Sequence, residues 1–277
     1  MAHPELQYVD HRPWPLPPGR WTWRQSWRDL LFAHWPVPVA AVRALVPPGL
    51  EVDTFDGATW LGIVPFRMSG VMRRPLPDLP WISAFPELNV RVYVTRDGRP
   101  GVWFLSLDAT NPVAVAAARL LFHLPYYRAD MTITATGDEF AYRSLRRSPS
   151  LREGLGEGSG EDPLPSPLPG GEGAGQDARP ALIGRYRPTS TVYLATPGTL
   201  EHWLTERYCL YALAPGGALY RCEVHHRAWP LQRAEAEFEV NTVSAAGGLP
   251  VSGPPTYLHF SRRQDVVIWS PRRLPQE

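Results

Sequence analysis

The 277-residue chain contains no lysine, so all 28 side chains of the Lys-or-Arg type are arginine. A guanidinium stays protonated at any working pH and does not serve as an amine nucleophile, whereas a lysine amine does. Schiff-base chemistry needs such an amine in its deprotonated form. The composition therefore excludes every side chain of this protein as the nucleophile of a Schiff-base mechanism.

Cysteine is also scarce, and long apolar runs are missing. Cys209 and Cys222 are too few for a disulfide framework and form no C-x-x-C motif, which favours free thiols in a reducing cytoplasm. The most apolar helical segment, 112–122, contains Arg119 and is too short to span a bilayer. Residues 1–20 lack the apolar core of a secretory signal. We therefore predict a cytoplasmic protein without a membrane-spanning segment.

The balance of charge argues against polyanionic partners. The formal net charge is only +1, which gives no general field for nucleic acid or an anionic membrane surface. The sequence has no G-x-S-x-G nucleophile motif, no phosphate-binding loop and no Rossmann glycine pattern. We accordingly predict no nucleic-acid partner, no membrane partner and no cofactor.

Strand-like segments dominate the sequence, and turn signals separate pairs of them. These signals predict four hairpins, with turns at 56–57, 97–101, 137–138 and 215–217. Only three helices are expected, at 38–46, 112–122 and 199–207. The second of these is apolar nearly all round and should be buried or covered. A mainly β fold with a few helices follows, as a single domain at 23–272 after a proline- and tryptophan-rich arm at 1–22.

A segment at about 148–181 interrupts this domain. Between 154 and 175 it has no aromatic, β-branched or arginine residue and consists mainly of Gly, Pro, Ser and acidic residues. Such a composition buries too little apolar surface to offset its ordering entropy, so we predict a disordered insertion. The alternative is a regulatory linker between two domains, but strand-rich sequence of the same character resumes after the segment.

Five blocks of sequence form a specific, ordered pattern. They are WRDLLFAHW at 27–35, VPFRM at 64–68, FPELNVR at 85–91, LEHWLTERYCLY at 200–211, and EVHH at 223–226 followed by WPL at 229–231. Together they resemble the YqjF-like family of uncharacterised bacterial proteins. Apart from the insertion, the resemblance extends from about residue 23 to residue 269.

The YqjF-like family is similar in fold to the acetoacetate-decarboxylase-like superfamily. This similarity implies a closed or partly open β-barrel around a cavity, which agrees with the many predicted strands. The decarboxylase carries its Schiff-base lysine in a Gly-Phe-Pro-Lys-Lys segment after a buried helix. When the segment 123–127 is aligned on Pro125, Tyr126 and Tyr127 stand at the two lysine positions. The resemblance therefore implies the barrel without the decarboxylase mechanism.

The strand at 87–94 supplies the first candidate site residues. Glu87, Asn89 and Arg91 fall on one face of it, because alternate strand residues share a face. The superfamily carries an acidic residue on the corresponding strand, and this implies that the polar face turns into the barrel. A solvated outer face over an apolar core is the structural alternative.

Four more residues complete the candidate set. His34 ends the strand before the first helix, near the place of a site arginine in the decarboxylase, and Arg67 follows an apolar run where its charge needs a partner or a ligand. An Arg67–Glu87 ion pair would satisfy both charges without any chemistry. Tyr126 and Tyr127 are candidate hydrogen-bond donors or acid–base groups, although packing is the commoner role of aromatic residues. We predict that Arg67, one or both tyrosines and the polar face converge on one internal pocket, with His34 at its edge.

Glu223, His225 and His226 together suggest a metal site, but strand phase argues against it. Glu223 and His225 point one way, and His226 points the other. Adjacent strand histidines do not readily bind one ion, and no third ligand lies at a diagnostic spacing. We therefore predict no metal.

Three functions remain open from the sequence. The first is an enzyme that acts on a small carboxylated or oxygenated compound through carboxylate, histidine and tyrosine groups. The second is a non-catalytic protein that binds such a compound in the same cavity, with Arg67 or Arg91 orienting it. The third, indicated only by the N-terminal tryptophans, is a protein-interaction module. The fold does not choose among them, and the oligomeric state stays open, a homo-oligomer included.

Overall fold

The computed structural model describes residues 3–76, 83–147 and 179–275. Most of the predicted insertion, 148–178, lies outside these residues, so its disorder stays a prediction. Ala181, the last residue of the predicted insertion, is buried and begins a strand.

The described residues form thirteen strands, four α-helices and a 3₁₀ turn at Pro4–Gln7. The strands are β1 (Trp23–Val37), β2 (Glu51–Val52), β3 (Thr59–Arg73), β4 (Phe85–Arg96), β5 (Arg99–Ala109), β6 (Tyr126–Thr136), β7 (Glu139–Arg146), β8 (Ala181–Pro188), β9 (Cys209–Leu213), β10 (Leu219–His225), β11 (Gln232–Asn241), β12 (Tyr257–Ile268) and β13 (Arg272–Arg273). The helices are α1 (Val39–Leu45), α2 (Pro112–Phe122), α3 (Leu200–Thr205) and α4 (Val243–Ala246). The predicted fold class, mainly β with a few helices, is confirmed.

Nine of the strands close into a barrel, which we call the main barrel. Their order is β5-β6-β7-β8-β11-β12-β1-β3-β4, and pairing between β4 and β5 completes the ring. Its core is apolar and draws side chains from around the ring, among them Leu31, Val90, Met131, Phe140 and Phe260. The predicted closed β-barrel is therefore confirmed.

Strands β9 and β10 enclose a second space, the side compartment, against the same sheet. β9 pairs with β5, and β10 pairs with β9 and with the end of β12. The strands β12, β1, β3, β4 and β5 thus have one face in the main barrel and the other in the side compartment. Helices α2 and α3 contribute Val115 and Leu204 to the apolar walls of this compartment. Because both faces of the shared strands are covered, β4 is buried almost continuously.

Three of the four predicted hairpins form as expected. β4–β5, β6–β7 and β9–β10 are antiparallel neighbours, and Asp97 and Gly98 take φ angles of 54° and 66° that suit a tight hairpin turn. The turn at 56–57 also has positive φ angles, but β2 before it pairs with β4 and not with β3. Turn residues reverse the chain locally, whereas distant packing selects the strand partners.

Helix α2 begins as predicted but packs differently. Asn111 caps it by accepting hydrogen bonds from the backbone N–H groups of Val113 (2.9 Å) and Ala114 (3.1 Å). The expectation that the helix is buried or covered is wrong, because Val115 is its only buried residue and Leu120 is 76% exposed. The helix contacts the side compartment along one narrow face. Within the described residues, no helix is both long and apolar enough to cross a membrane.

The N-terminal segment before β1 packs against β10. Trp14 and Trp21 are buried. Arg12 Nη2 and Trp14 Nε1 donate hydrogen bonds to Glu223 Oε2, at 3.3 Å and 2.8 Å. His11 Nε2 lies 2.7 Å from the carbonyl oxygen of His226. A buried carboxylate on β10 is thus the main polar anchor of this segment.

Candidate functional site

The polar face of β4 turns into the side compartment. Glu87, Asn89 and Arg91 are 2%, 9% and 9% exposed. Their register partners on β3 are, in the same order, Phe66, Val64 and Gly62. The intervening leucine and valine residues of β4 fill the main barrel instead. The polar face is therefore internal and not solvated, but it lies on the opposite side of the sheet from the barrel interior that we expected it to line.

An acid pair occupies one end of this face. Tyr126 Oη donates a hydrogen bond to Glu87 Oε2 at 3.1 Å. Burial raises the pKa of Glu87 from its ordinary 4.5 to about 8, and the bond from Tyr126 opposes this only in part. Burial also raises the pKa of Tyr126 well above 10. Both groups are therefore protonated near neutral pH, and of the two only Glu87 has a pKa close to neutral pH.

The other end of the face is a network around one backbone carbonyl. Tyr93 Oη lies 2.9 Å from the carbonyl oxygen of Leu204 in α3 and 2.6 Å from His34 Nε2. A tyrosine hydroxyl has one proton, so donation to Leu204 makes His34 Nε2 the donor and leaves Nδ1 unprotonated. Arg91 Nη2 donates to the same carbonyl at 3.3 Å. Burial, followed by the charge of Arg91, holds the pKa of His34 well below its ordinary 6.5, and this residue is fully buried, not at an edge.

Several buried polar atoms that face the side compartment have no hydrogen-bond partner among the described residues. They are Asn89 Oδ1, Arg91 Nε, His34 Nδ1, His259 Nδ1, Ser261 Oγ, Trp27 Nε1 and Trp229 Nε1. Buried polar groups are normally satisfied by protein or by ordered water. Their concentration on one side of the shared sheet makes the side compartment the candidate binding site.

Two predicted site residues lie elsewhere. Arg67 is the register partner of Pro86, so its side chain is on the opposite face from Glu87, and its Nη2 donates to a backbone carbonyl of β6 at 3.4 Å. The interpretation of Arg67 and Glu87 as an ion pair is therefore wrong, because the two side chains lie on opposite faces of the sheet. Tyr127 packs under the Arg146 guanidinium, whose central carbon is 4.1 Å from the ring centroid. Of the two tyrosines, only Tyr126 reaches the candidate site.

Sequence reasoning missed other contributors to the compartment. His259 and Ser261 share a face of β12, and their alternation with Leu258 and Phe260 was a usable signal. The Leu204 carbonyl had no signal, because any residue of α3 carries one. Among the described residues, no three His, Cys, Asp or Glu side chains converge as metal ligands. His225 and His226 instead lie close to the backbone carbonyls of Glu5 and Arg227, at 2.9 Å and 2.6 Å.

Gly62 on β3 lies between its two register partners, His34 on β1 and Arg91 on β4. A Cβ atom at this position would lie 3.3 Å from Arg91 Cγ and from the His34 ring. Gly62→Ala should therefore lower the free energy of unfolding by about 1–3 kcal/mol, the usual cost of overpacking, as measured by urea unfolding. In an Arg91→Ala background the contact with Arg91 Cγ is gone and the contact with the His34 ring remains, so part of the cost should disappear. Equal costs in both backgrounds would contradict crowding by Arg91 as a reason for glycine here.

Two comparisons concern the family. Residues 24–270 match a protein family whose description is 'uncharacterized conserved protein'. The uncharacterized protein YqjF of Bacillus subtilis is 42% identical over 258 residues, which cover 93% of this chain and 95% of YqjF. The predicted family resemblance is confirmed.

Solved structures give the likeness of fold. The acetoacetate decarboxylase of Legionella pneumophila has a TM-score of 0.55 at 12% identity, covering 99% of this chain and 98% of its own. The enduracididine biosynthesis enzyme MppR, complexed with pyruvate, has a TM-score of 0.56 at 13% identity, covering 96% of this chain and 93% of its own. At such low identity these similarities show a shared fold.

Proposed function

This chain belongs to the family of uncharacterized conserved proteins that includes YqjF, and we propose that it binds a small oxygenated carboxylic acid in the side compartment. Arg91 is the observation that carries the proposal. Its guanidinium is buried, and its hydrogen bonds within the described residues go to a hydroxyl and a backbone carbonyl, with no carboxylate partner. A buried charge without a counter-ion is costly, and a carboxylate ligand offers the forked acceptor that guanidinium binds best.

The surroundings of Arg91 hold its head group in place. Its central carbon lies 5.2 Å from the ring centroid of Phe32 and 5.6 Å from that of Tyr93. Such stacking restricts the guanidinium plane, so less side-chain entropy is lost when an anion binds. Arg91 Nε, which has no partner in the described structure, is one donor that remains for a ligand.

The rest of the polar face suits the uncharged oxygen atoms of such a ligand. Glu87 and Arg91 are about 13 Å apart along β4, at the usual rise per strand residue, and Asn89 lies between them. Protonated Glu87 is a donor to a carbonyl or hydroxyl oxygen, and Asn89 Oδ1 is an unpaired acceptor. A compact acid with its carboxylate near Arg91 and a second oxygen near Asn89 would match these two groups, and a longer acid would also reach Glu87.

The shared fold supports 2-oxo acids as the ligand class. MppR, a protein of this fold, has been obtained in complex with pyruvate, which is a 2-oxo acid. A lysine-free chain has to hold such a ligand without a side-chain Schiff base. The affinity would then come from Arg91, from hydrogen bonds and from the apolar walls of the compartment.

Titration calorimetry with pyruvate and with its neutral analogue pyruvamide tests this proposal. We expect pyruvate to bind, and Arg91→Met to weaken its binding by about 10- to 100-fold, the usual worth of hydrogen bonds to a charged group. The same variant should bind pyruvamide almost as well as the wild type does. Arg185→Met, on an exposed position of β8, is the matched control and should leave both affinities unchanged.

Two outcomes would contradict the proposal. One is the absence of any pyruvate binding to the folded wild-type protein. The other is equal pyruvate affinity in the wild type and in Arg91→Met, which would place the carboxylate away from Arg91.

A further inference from the structure

His259 forms a carboxylate–imidazole pair inside the side compartment. It is only 2% exposed, and its Nε2 lies 3.3 Å from Glu201 Oε1. Tyr193 Oη donates to the same carboxylate oxygen at 3.4 Å. Because the carboxylate accepts, Nε2 of His259 carries the ring proton and Nδ1 has a bare lone pair. That Nδ1 is buried and has no hydrogen-bond partner among the described residues.

Helix α3 places this pair next to the proposed ligand site. Glu201 and Leu204 are three positions apart, so they lie on the same side of the helix. Glu201 contacts His259, and the Leu204 carbonyl accepts hydrogen bonds from Tyr93 and Arg91. On the sheet below, His259 is the register partner of Phe32, whose ring also contacts the Arg91 guanidinium.

His259 is a better proton acceptor than His34, although both have an unpaired Nδ1. The charges of Arg91 and Arg207 disfavour protonation of His34 and add to the effect of its burial on its pKa. Burial also lowers the pKa of His259, but the hydrogen bond and the charge of Glu201 oppose that effect. A carboxylate behind an imidazole fixes its tautomer and stabilises the imidazolium that forms when it takes a proton.

We propose that His259 is the proton acceptor in a reversible enolisation of the bound 2-oxo acid, with Glu201 as its positioning residue. This inference rests on the proposed function and adds a reaction to it. His259 Nδ1 takes a proton from the carbon next to the ketone, and the C–H electron pair becomes the carbon–carbon double bond of the enolate. The electron pair of the former carbonyl double bond stays on its oxygen as the enolate charge. Reversal returns the proton, so the step consumes no other reactant.

Glu87 takes no part in this step. It lies about 13 Å from Arg91 along β4, and β3 and β1 separate it from His259 in the curved sheet. A three-carbon acid bound at Arg91 does not span that distance.

Exchange of the pyruvate methyl protons in D₂O measures this reaction directly. The buffer has to be free of amines, because amines catalyse this exchange without any protein. Proton NMR should then show loss of the methyl signal at a rate proportional to protein concentration. His259→Gln should reduce the protein-dependent rate about 100-fold or more, within the range that general bases contribute. Glu201→Gln should reduce the rate at saturating pyruvate about tenfold or more and leave the pyruvate dissociation constant unchanged. His202→Gln, the neighbouring half-buried histidine of α3, should match the wild type.

The possible results separate this inference from the proposed function. Pyruvate binding by calorimetry without methyl exchange would overturn the enolisation and leave the binding function intact. Absence of binding would remove both. Exchange that survives in folded His259→Gln would overturn the role of His259, and if that variant fails to fold, Glu201→Gln decides, because Glu201 is partly exposed at the surface. Glu201→Gln that weakens binding without slowing saturated exchange would show a structural role only.

Discussion

Replacing Glu87 with glutamine should raise the free energy of unfolding by roughly 3–5 kcal/mol near pH 8 and should change it little near pH 4. Burial raises the pKa of Glu87 to about 8 in the folded protein, against an ordinary value of 4.5. Between these values the unfolded chain loses the proton and the folded protein keeps it. The contribution of Glu87 to wild-type stability therefore falls with rising pH by about 1.4 kcal/mol per unit. Glutamine has no proton to titrate, and the variant escapes this loss.

Urea unfolding of both proteins at about pH 4, 6 and 8 measures the difference. Glu237→Gln is the matched control, because Glu237 is exposed on β11 and should give the wild-type pH dependence. The stability difference between wild type and Glu87→Gln has to grow with pH. A constant difference over this range would mean that Glu87 is ionised in the folded protein, and the acid assigned to the side compartment would then be lost.

Glu223→Gln should destabilise the protein by about 3–5 kcal/mol, the usual cost of removing one partner from a buried ion pair. Glu223 binds Arg12, and its other oxygen accepts from Arg99 Nη1 at 2.9 Å and from Arg221 Nε at 3.0 Å. The Arg12 and Arg221 side chains are 1% and 9% exposed, so water replaces the lost charge poorly. The variant would leave buried guanidinium groups around a neutral amide.

The loss should appear both in stability and in the N-terminal segment. Urea unfolding reports the first, and limited trypsin cleavage after Arg20 reports the second, because Glu223 anchors Arg12 and Trp14 of the same segment. Glu235→Gln, which removes an ion pair with Arg187 on the surface, should change stability by less than about 1 kcal/mol. A destabilised Glu223→Gln protein that still protects this segment would show that other contacts hold it.

Local features of the sequence were sufficient for the hairpins and for the polar face of β4. Asp97 and Gly98 specify their turn because few residues tolerate positive φ angles. Asn111 begins α2 because its side chain satisfies free backbone N–H groups. Glu87 and Arg91 share a face because a strand has a period of two. Each of these inferences depends on residues within a few positions of one another.

Other features depend on contacts between distant segments, and there the predictions failed. The apolar composition of α2 suggested a buried helix, but the helix is needed only along one edge of the side compartment and is otherwise exposed. The charge of Arg67 suggested a pair with Glu87, but the β3–β4 register places these residues on opposite faces. Register is set by which strands meet, and that is a property of the whole ring.

The sequence by itself determined the absence of a side-chain amine for Schiff-base chemistry, the mainly β fold and the grouping of Glu87 with Asn89 and Arg91. Only the tertiary structure decided that this group lines the side compartment, where α3 brings Glu201 to His259. The physical reason is that the shared strands separate two interiors, so that β4 is buried on both faces. Strand phase shows which side chains lie together, but with no solvent face to compare, it does not show which of two interiors they enter.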